Sequence, residues 1–150
     1  MAPVLTIHEL HELLERYLPR VDHRHETIEA LGDGALRMRL PVRPDYVSHD
    51  LPPGSGQDVL SGPILMGFAD TALFACVHAY YGAEVTAAIV NFNVACLRVA
   101  GNGDLVAHAR IVRKGRSIAF VEAWLHSGGS DEPCTHVTAT YAVRATSPRA

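Results

Sequence analysis

Two stretches of the chain are predicted to be helices from their apolar residues. The first, residues 6–18, has apolar residues at helical spacing, opens with a Thr-x-x-Glu capping box and stops at Pro19. The second, residues 62–81, follows Ser61, a good N-cap, and precedes Gly82, a natural C-terminal stop. It is apolar on almost every side, and such helices are normally covered by protein all round. We therefore expect this helix to be buried on every side.

Most of the remaining chain has the alternation and the β-branched or aromatic residues that are typical of strands. Turns rich in Gly, Asn, Asp or Pro separate six such segments. They cover residues 27–31, 35–40, 86–99, 105–113, 118–126 and 134–144. The last three are joined by short turns, which predicts an antiparallel meander. Residues 41–60, with four prolines and two glycines, form a long loop of the kind that is often functional.

These elements favour an α+β domain. One long apolar helix is available to cover a sheet of about six strands, so the simplest arrangement is an antiparallel sheet wrapped around that helix. The 150 residues contain no internal repeat or linker, and we expect a single domain over residues 1–150. Residues 1–22 would be an N-terminal helical extension of it.

Composition and charge exclude several classes of protein. Hydrophobic residues make up 48% of the chain and charged residues 19%, which is typical of a folded domain. A formal net charge of -3 gives no support for nucleic-acid binding. Asp70 in the middle of the long helix argues against a membrane span, and the N-terminus lacks the features of a signal peptide. We expect a cytoplasmic protein.

The cysteine and histidine pattern predicts neither disulfides nor a metal site. Cys76, Cys96 and Cys134 are scattered and form no C-x-x-C pair. The histidines of the N-terminal region are accompanied by no carboxylate or cysteine pattern that completes a ligand set. No metal and no organic cofactor are therefore expected.

Asp70 is the most informative residue. The positions three and four residues away on its helix face are uncharged: Met66, Gly67, Leu73 and Phe74. A carboxylate on such a face is costly unless it has a partner or a role. Taken alone, Asp70 fits either a structural aspartate bonded to the backbone or to Thr71, or a catalytic carboxylate.

The start of the long helix supplies a second candidate group. The first N–H groups of a helix have no intrahelical acceptor and lie at its positive end. Gly62 allows a ligand carbonyl to approach closely, whereas Pro63 has no N–H to offer. This arrangement suits the oxyanion that develops on a thioester oxygen, and it equally fits an ordinary Ser-capped helix.

Together the two features resemble a known family. The segment SGPILMGFADTALF, residues 61–74, resembles the PaaI-like, phenylacetate-pathway branch of hotdog-fold acyl-CoA thioesterases, whose pattern is of the kind H-G-G-x-x-x-x-x-A-D. Residues 91–105 and 114–116 resemble the family's F-L-R-P-A-x-x-G-D strand end and the G-R turn after it. The resemblance covers roughly residues 58–145. It implies a hotdog fold and hydrolysis of a small to medium acyl-CoA thioester, with aromatic acyl groups included.

The resemblance also implies roles for individual residues. Asp70 would attack the thioester carbonyl or activate a water, and the N–H of Gly62 would polarise the carbonyl oxygen. Ser61 stands where the family has His, and Pro63 where it has a second Gly. Gln57 is a candidate for the amide that relatives use to position water, and Ser55 is the alternative for this position.

Binding residues and assembly are further implications of the resemblance. Arg98, Lys114 and Arg116 would lie near the phosphates of CoA, although the same residues fit a solvated hairpin end. Apart from the resemblance, Asn91 and Asn93 share one face of a strand, where they fit either a bond to the helix or the substrate or a structural role. Active sites of this family lie between subunits, which implies a homodimer or a homotetramer of two dimers.

Two other functions stay open. The Ser61 and Pro63 departures are compatible with a non-catalytic hotdog protein that binds acyl-CoA or another hydrophobic ligand. A hydratase or dehydratase is a third hypothesis, but such sites usually pair an acid with a histidine in the motif turn, where this chain has Ser61.

Overall fold

The computed structural model describes residues 1–146 of the chain and contains two α-helices and eight β-strands. Helix α1 is Ile7–Tyr17 and helix α2 is Gly62–Tyr81. The strands are β1 Thr27–Gly32, β2 Ala35–Leu40, β3 Val47–Ser48, β4 Val59–Leu60, β5 Val85–Cys96, β6 Leu105–Lys114, β7 Ile118–Ser127 and β8 Thr135–Ala145.

Six strands form one antiparallel sheet in the order β1-β2-β6-β7-β8-β5. The meander β6-β7-β8 is confirmed. Strand β5 ends at Cys96, three residues before the predicted end of its segment. Inside the predicted loop 41–60, the short strands β3 and β4 pair with each other, which the sequence pattern did not indicate.

Helix α2 packs on one face of this sheet and supplies much of the core. Twelve of its twenty residues are buried. They pack against the inward-facing residues of the central strands, such as Leu105 and Val137, as the 3.6 and 2.0 periodicities of the two elements require. The hotdog fold, a six-stranded antiparallel sheet around one long helix, is confirmed.

Helix α1 is attached to the same core. The predicted capping box is present, because the Thr6 side chain accepts a hydrogen bond from the Glu9 N–H and the Glu9 carboxylate accepts one from the Thr6 N–H. Leu10 is fully buried in the core that α2 shares. Just before α1, the Val4 N–H donates to the Ala79 carbonyl of α2 at 2.8 Å.

By length and composition alone, α2 could cross a membrane. In its most apolar window, 61% of the residues are buried inside the protein. The sheet that wraps α2 identifies it as the core helix of the fold rather than as a membrane span.

Candidate functional site

The N-terminus of α2 is fixed by hydrogen bonds from both sides of Ser61. The Ser61 N–H donates to the Tyr46 carbonyl at 2.8 Å, and the Ser61 side chain accepts from the Ile64 N–H at 3.4 Å. The hydroxyl of Ser61 is thus engaged as the N-cap of the helix. Within residues 1–146, the N–H of Gly62 has no protein acceptor. It is therefore available to a ligand oxygen.

One side of α2 is open to solvent, which corrects the expectation that the helix is buried on every side. Gly62, Pro63, Met66 and Asp70 are exposed in the single chain, and we call these four residues the open stripe. Gly62, Met66 and Asp70 follow one another at intervals of about one turn, so the stripe runs along one side of the helix. Apart from Asp70 it carries no charged side chain, so the exposed surface is one that another protein surface or a ligand could cover.

Asp70 is exposed on the open stripe but is not free to rotate. Its Oδ1 accepts a hydrogen bond of 2.5 Å from the hydroxyl of Tyr141, which also lies 3.3 Å from the Asp70 carbonyl oxygen. Tyr141 is on β8 and is only 1% exposed. Asp70 therefore has the position that a catalytic carboxylate requires, accessible from solvent and held from behind by a buried donor.

Sequence reasoning missed Tyr141. It occupies an inward-facing position on β8, in alternation with Val137, Ala139 and Val143. A buried tyrosine hydroxyl usually has a hydrogen-bond partner, and the alternation alone would have predicted that Tyr141 faces α2. Which residue of α2 it meets is set by the packing of the sheet on the helix.

A groove of about 380 Å³ opens beside the start of α2. Gly62 and Arg98 both line it, together with Met66 and the other residues of the segment 96–100. Arg98 is exposed and pairs with the carboxylate of Glu132 at 3.0 Å. The groove is therefore lined both by Gly62, with its unoccupied N–H, and by Arg98, with its guanidinium.

Lys114 and Arg116 lie at the other end of the helix. The Lys114 ammonium is 5.0 Å from the ring centre of Tyr81, the last residue of α2, and Arg116 is exposed in the turn after β6. Gly62 and Tyr81 are separated by about 28 Å along the helix axis. One chain therefore does not bring these two cations to the groove of Arg98.

The remaining predicted site residues make no hydrogen bond to Asp70 in the described chain. Asn91 is exposed on β5, where its side-chain oxygen accepts a hydrogen bond from Asn93. Gln57 is exposed in the loop before β4, and its backbone bonds to Ser55 and Leu51. Neither residue lines the groove of Gly62.

An apolar cavity of about 210 Å³ lies beyond Asp70, toward the C-terminal end of α2. Phe74, one turn after Asp70, and His78, two turns after it, form its helical wall, and Tyr17, Val85 and Ala87 contribute to the rest. The imidazole of His78 is within 2.9 Å of the Gly82 carbonyl oxygen through Nδ1. Burial lowers the pKa of His78, and the bond to Gly82 opposes this shift in part.

The rest of the described chain contains no second site with comparable reactive groups. A larger cavity of about 530 Å³ beside α1 is lined mostly by charged residues and histidines, with Leu14 and Leu18, and includes no residue of α2. Among residues 1–146, no three His, Cys, Asp or Glu side chains are grouped so that they could hold a metal ion.

Comparison with known proteins gives a consistent result. Residues 57–134 match the family model described as the thioesterase superfamily. A candidate esterase of Halobacterium salinarum is 33% identical over 98 residues, which cover 64% of this chain and 62% of that protein. The chain thus spans under two thirds of the length of this relative. A candidate esterase of Thermoplasma acidophilum is 23% identical over 114 residues, which cover 76% of this chain and 80% of that protein.

Solved structures share the fold over nearly the whole chain. A candidate thioesterase of Silicibacter sp. TM1040 has a TM-score of 0.80 with 28% identity, covering 96% of this chain and 95% of that one. A candidate thioesterase of Ralstonia eutropha, described as related to phenylacetic acid degradation, has a TM-score of 0.70 with 22% identity, covering 89% and 98%. At that identity, the second likeness concerns the fold alone.

Proposed function

The chain belongs to the thioesterase superfamily, and we propose that it hydrolyses a small to medium acyl-CoA thioester to the free acid and CoA. The proposal rests on one observation: a solvent-accessible carboxylate, Asp70, shares the open stripe of an apolar helix with the unoccupied N–H of Gly62. Within this superfamily we assign the chain to the PaaI-like branch, on the motif of residues 61–70. Three free cysteines are compatible with the reducing cytoplasm, where we expect the protein to act.

The chemistry needs only these two groups and water. The N–H of Gly62 donates to the thioester carbonyl oxygen and stabilises the negative charge that develops there. Asp70 either takes a proton from a water that attacks the carbonyl carbon or attacks that carbon itself. In the first case the carbon–sulfur bond breaks, and the proton passes from Asp70 to the sulfur, which leaves as the thiol of CoA. In the second case breakage of the carbon–sulfur bond leaves an acyl anhydride on Asp70, and water hydrolyses this anhydride to the free acid and supplies the proton of the thiol.

The spacing of the two groups favours a site shared by two chains. Asp70 lies eight positions after Gly62, which corresponds to about 12 Å along the helix axis. A single carbonyl needs the donor and the carboxylate each within about 3 to 3.5 Å of its own atoms. Two antiparallel copies of α2 would bring Gly62 of one copy next to Asp70 of the other.

The edge of the sheet supports the same assembly. Strand β5 pairs only with β8 in the described chain, so its other side has unpaired backbone groups that can pair with a second chain. Ile89 and Val90 on this strand are exposed. We propose a homodimer in which two β5 strands and two open stripes meet.

A homotetramer would cover the outer face of the sheet as well. Strand β7 exposes three large apolar residues on that face, Ile118, Phe120 and Trp124. We propose that two dimers associate there.

The two cavities indicate where the acyl group and the CoA part of the substrate would bind. The 210 Å³ cavity beside Phe74 is somewhat larger than the cavity of about 150 Å³ that takes up a benzene molecule in a protein core. One aromatic ring or a short acyl chain would fit it. Arg98 beside the groove of Gly62, with Lys114 and Arg116 from the other copy, would face the phosphates of CoA.

The function is tested by a thioester-hydrolysis screen over short, medium, long and aryl acyl-CoA, with a thiol-trapping reagent. Because Cys96 is exposed, a protein-only blank is subtracted. We expect wild-type activity on short or aryl acyl-CoA, and a loss of at least about 10³-fold in Asp70→Asn, which keeps the shape of the side chain. Asp131→Asn, in an exposed turn, is the matched control and should retain full activity.

Two results would contradict the proposal. One is a wild-type protein that cleaves no thioester of the panel. If this protein still binds acyl-CoA, the result favours the non-catalytic binding function instead of hydrolysis. The other is full hydrolysis by Asp70→Asn.

A further inference from the structure

The contact between Tyr141 and Asp70 joins the sheet to the open stripe. The two residues are 71 positions apart in sequence. The Tyr141 hydroxyl reaches from the middle of the core to the surface of α2 and donates to one carboxylate oxygen, Oδ1, at 2.5 Å. The second oxygen, Oδ2, has no protein donor in the described chain.

We propose that Tyr141 is a positioning residue that holds the Asp70 carboxylate in one orientation, with Oδ1 anchored and Oδ2 directed to the substrate or water. This inference rests on the proposed function of Asp70. It assigns different tasks to the two oxygens: Oδ1 is held by the protein, and Oδ2 is the atom that reacts.

The physical need for such an anchor follows from the exposure of Asp70. An exposed aspartate on a helix has several accessible rotamers, and a displacement of about 1 Å at a reacting group can cost about 10²-fold in rate. A hydrogen bond from a buried, rigid phenol to a charged oxygen is short and strong. Tyr141 therefore limits the carboxylate to one rotamer without covering its second oxygen.

The hydroxyl is suited to be a permanent donor. Burial, together with the neighbouring Asp70 carboxylate, raises the pKa of Tyr141 above its usual value of 10.0. The phenol therefore keeps its proton throughout the pH range in which a thioesterase is assayed. It donates to Asp70 under all of these conditions and does not compete for the proton of the water.

A second buried tyrosine provides a matched control. Tyr80 is fully buried on α2, and its hydroxyl donates to the Ala35 carbonyl at 2.7 Å. Tyr80→Phe and Tyr141→Phe each remove one buried hydroxyl and one hydrogen bond from the same core. Only Tyr141→Phe removes a donor from Asp70.

The test compares the two variants with wild type by thermal unfolding and steady-state kinetics. In Tyr141→Phe we expect kcat to fall about 10- to 100-fold with KM within about two-fold of wild type. Tyr80→Phe should change the melting temperature by a similar amount and leave kcat in place.

A spectroscopic readout makes this test independent of the substrate chosen. Carboxyl ¹³C NMR at one fixed pH, with the Asp70 signal assigned by its absence in Asp70→Asn, reports the hydrogen bond on the carboxylate directly. We expect this signal to shift in Tyr141→Phe, because one oxygen loses its donor, and to stay in place in Tyr80→Phe. An unchanged Asp70 signal in Tyr141→Phe, or equal losses of kcat in both variants, overturns the role of Tyr141. Inactivity of the wild type on every thioester would instead reject the proposed function.

Discussion

At the scale of single residues, the proposed activity depends on a carboxylate and on one backbone N–H. The N–H of Gly62 is free because it is the first of the helix, where no intrahelical acceptor exists. Substitutions that change the side chain alone cannot remove it. Proline can, because it has no N–H and is well tolerated at the first helical position.

Gly62→Pro therefore tests the donor directly. The preceding residue, Ser61, has ψ 128, a conformation that residues before proline prefer. Because Pro63 follows directly and disfavours a helical proline before it, we also expect a lower melting temperature, and kcat is measured on the folded protein. We expect kcat to fall about 10²- to 10³-fold, as happens when one oxyanion donor is lost.

Gly62→Ala is the control for this prediction. A methyl group there would meet only the Met66 side chain, at an ordinary contact distance of 3.7 Å, and the N–H is kept. Kinetics and melting temperatures of both variants check the point. A folded Gly62→Pro protein that is as active as Gly62→Ala would show that this N–H is not the donor.

Asp70 and Gly62 could be singled out from sequence because their signals are local. Both lie within one helix, where spacing places residues on a face and the first turn defines the free donors. Tyr141 could not be paired with Asp70 in the same way, since 71 positions separate them and only the tertiary fold brings them together.

At the scale of elements, helix α1 and all six strands of the main sheet were predictable because each has a clear apolar period. Helix α2 was predictable from its long apolar run between the N-cap Ser61 and Gly82. The ladder of β3 and β4 was not, because two-residue strands are too short to show an alternation. The open stripe was also missed. A helix that is apolar all round predicts burial, but not whether the covering surface belongs to the same chain.

The C-terminal end of α2 makes the fold sensitive to acid through His78. Burial lowers the pKa of this imidazole below its ordinary value of 6.5, so the folded state binds its proton less readily than the unfolded state does. The contribution of the neutral His78 ring to the free energy of unfolding is fully present above about pH 6.5. It is lost as the pH falls below that value. The melting temperature should therefore be lower at pH 5.5 than at pH 7.5.

Replacing His78 by Asn, which keeps a hydrogen-bond donor near the Nδ1 position, should reduce this drop. The drop should not vanish, because the pKa of His108 is lowered as well. The larger cause of that shift is burial, and the next is the nearby His126. His8→Gln, at an exposed position of α1, is the control and should leave it unchanged. Thermal unfolding across this pH range checks the prediction, and an equal drop in wild type and His78→Asn would contradict it.

At the scale of the whole molecule, one side of the chain exposes surface that the described residues of the same chain do not cover. The open stripe of α2 and the free edge of β5 both expose apolar surface. The sequence implied a shared site only through its resemblance to a family. In the structure, the length of helix between Gly62 and Asp70 gives a physical reason for the same conclusion.

A mixture of two inactive chains tests this shared site most directly. Gly62→Pro chains keep Asp70, and Asp70→Asn chains keep Gly62. A symmetric dimer with one chain of each kind would therefore contain one intact site and one doubly defective site. When equal amounts are unfolded and refolded together, half of the dimers are mixed and each has one of two sites intact, so we expect about a quarter of wild-type activity to return. Mixed dimers that are isolated through two different affinity tags and yet remain as inactive as the separate variants would contradict a site built from Gly62 of one chain and Asp70 of the other.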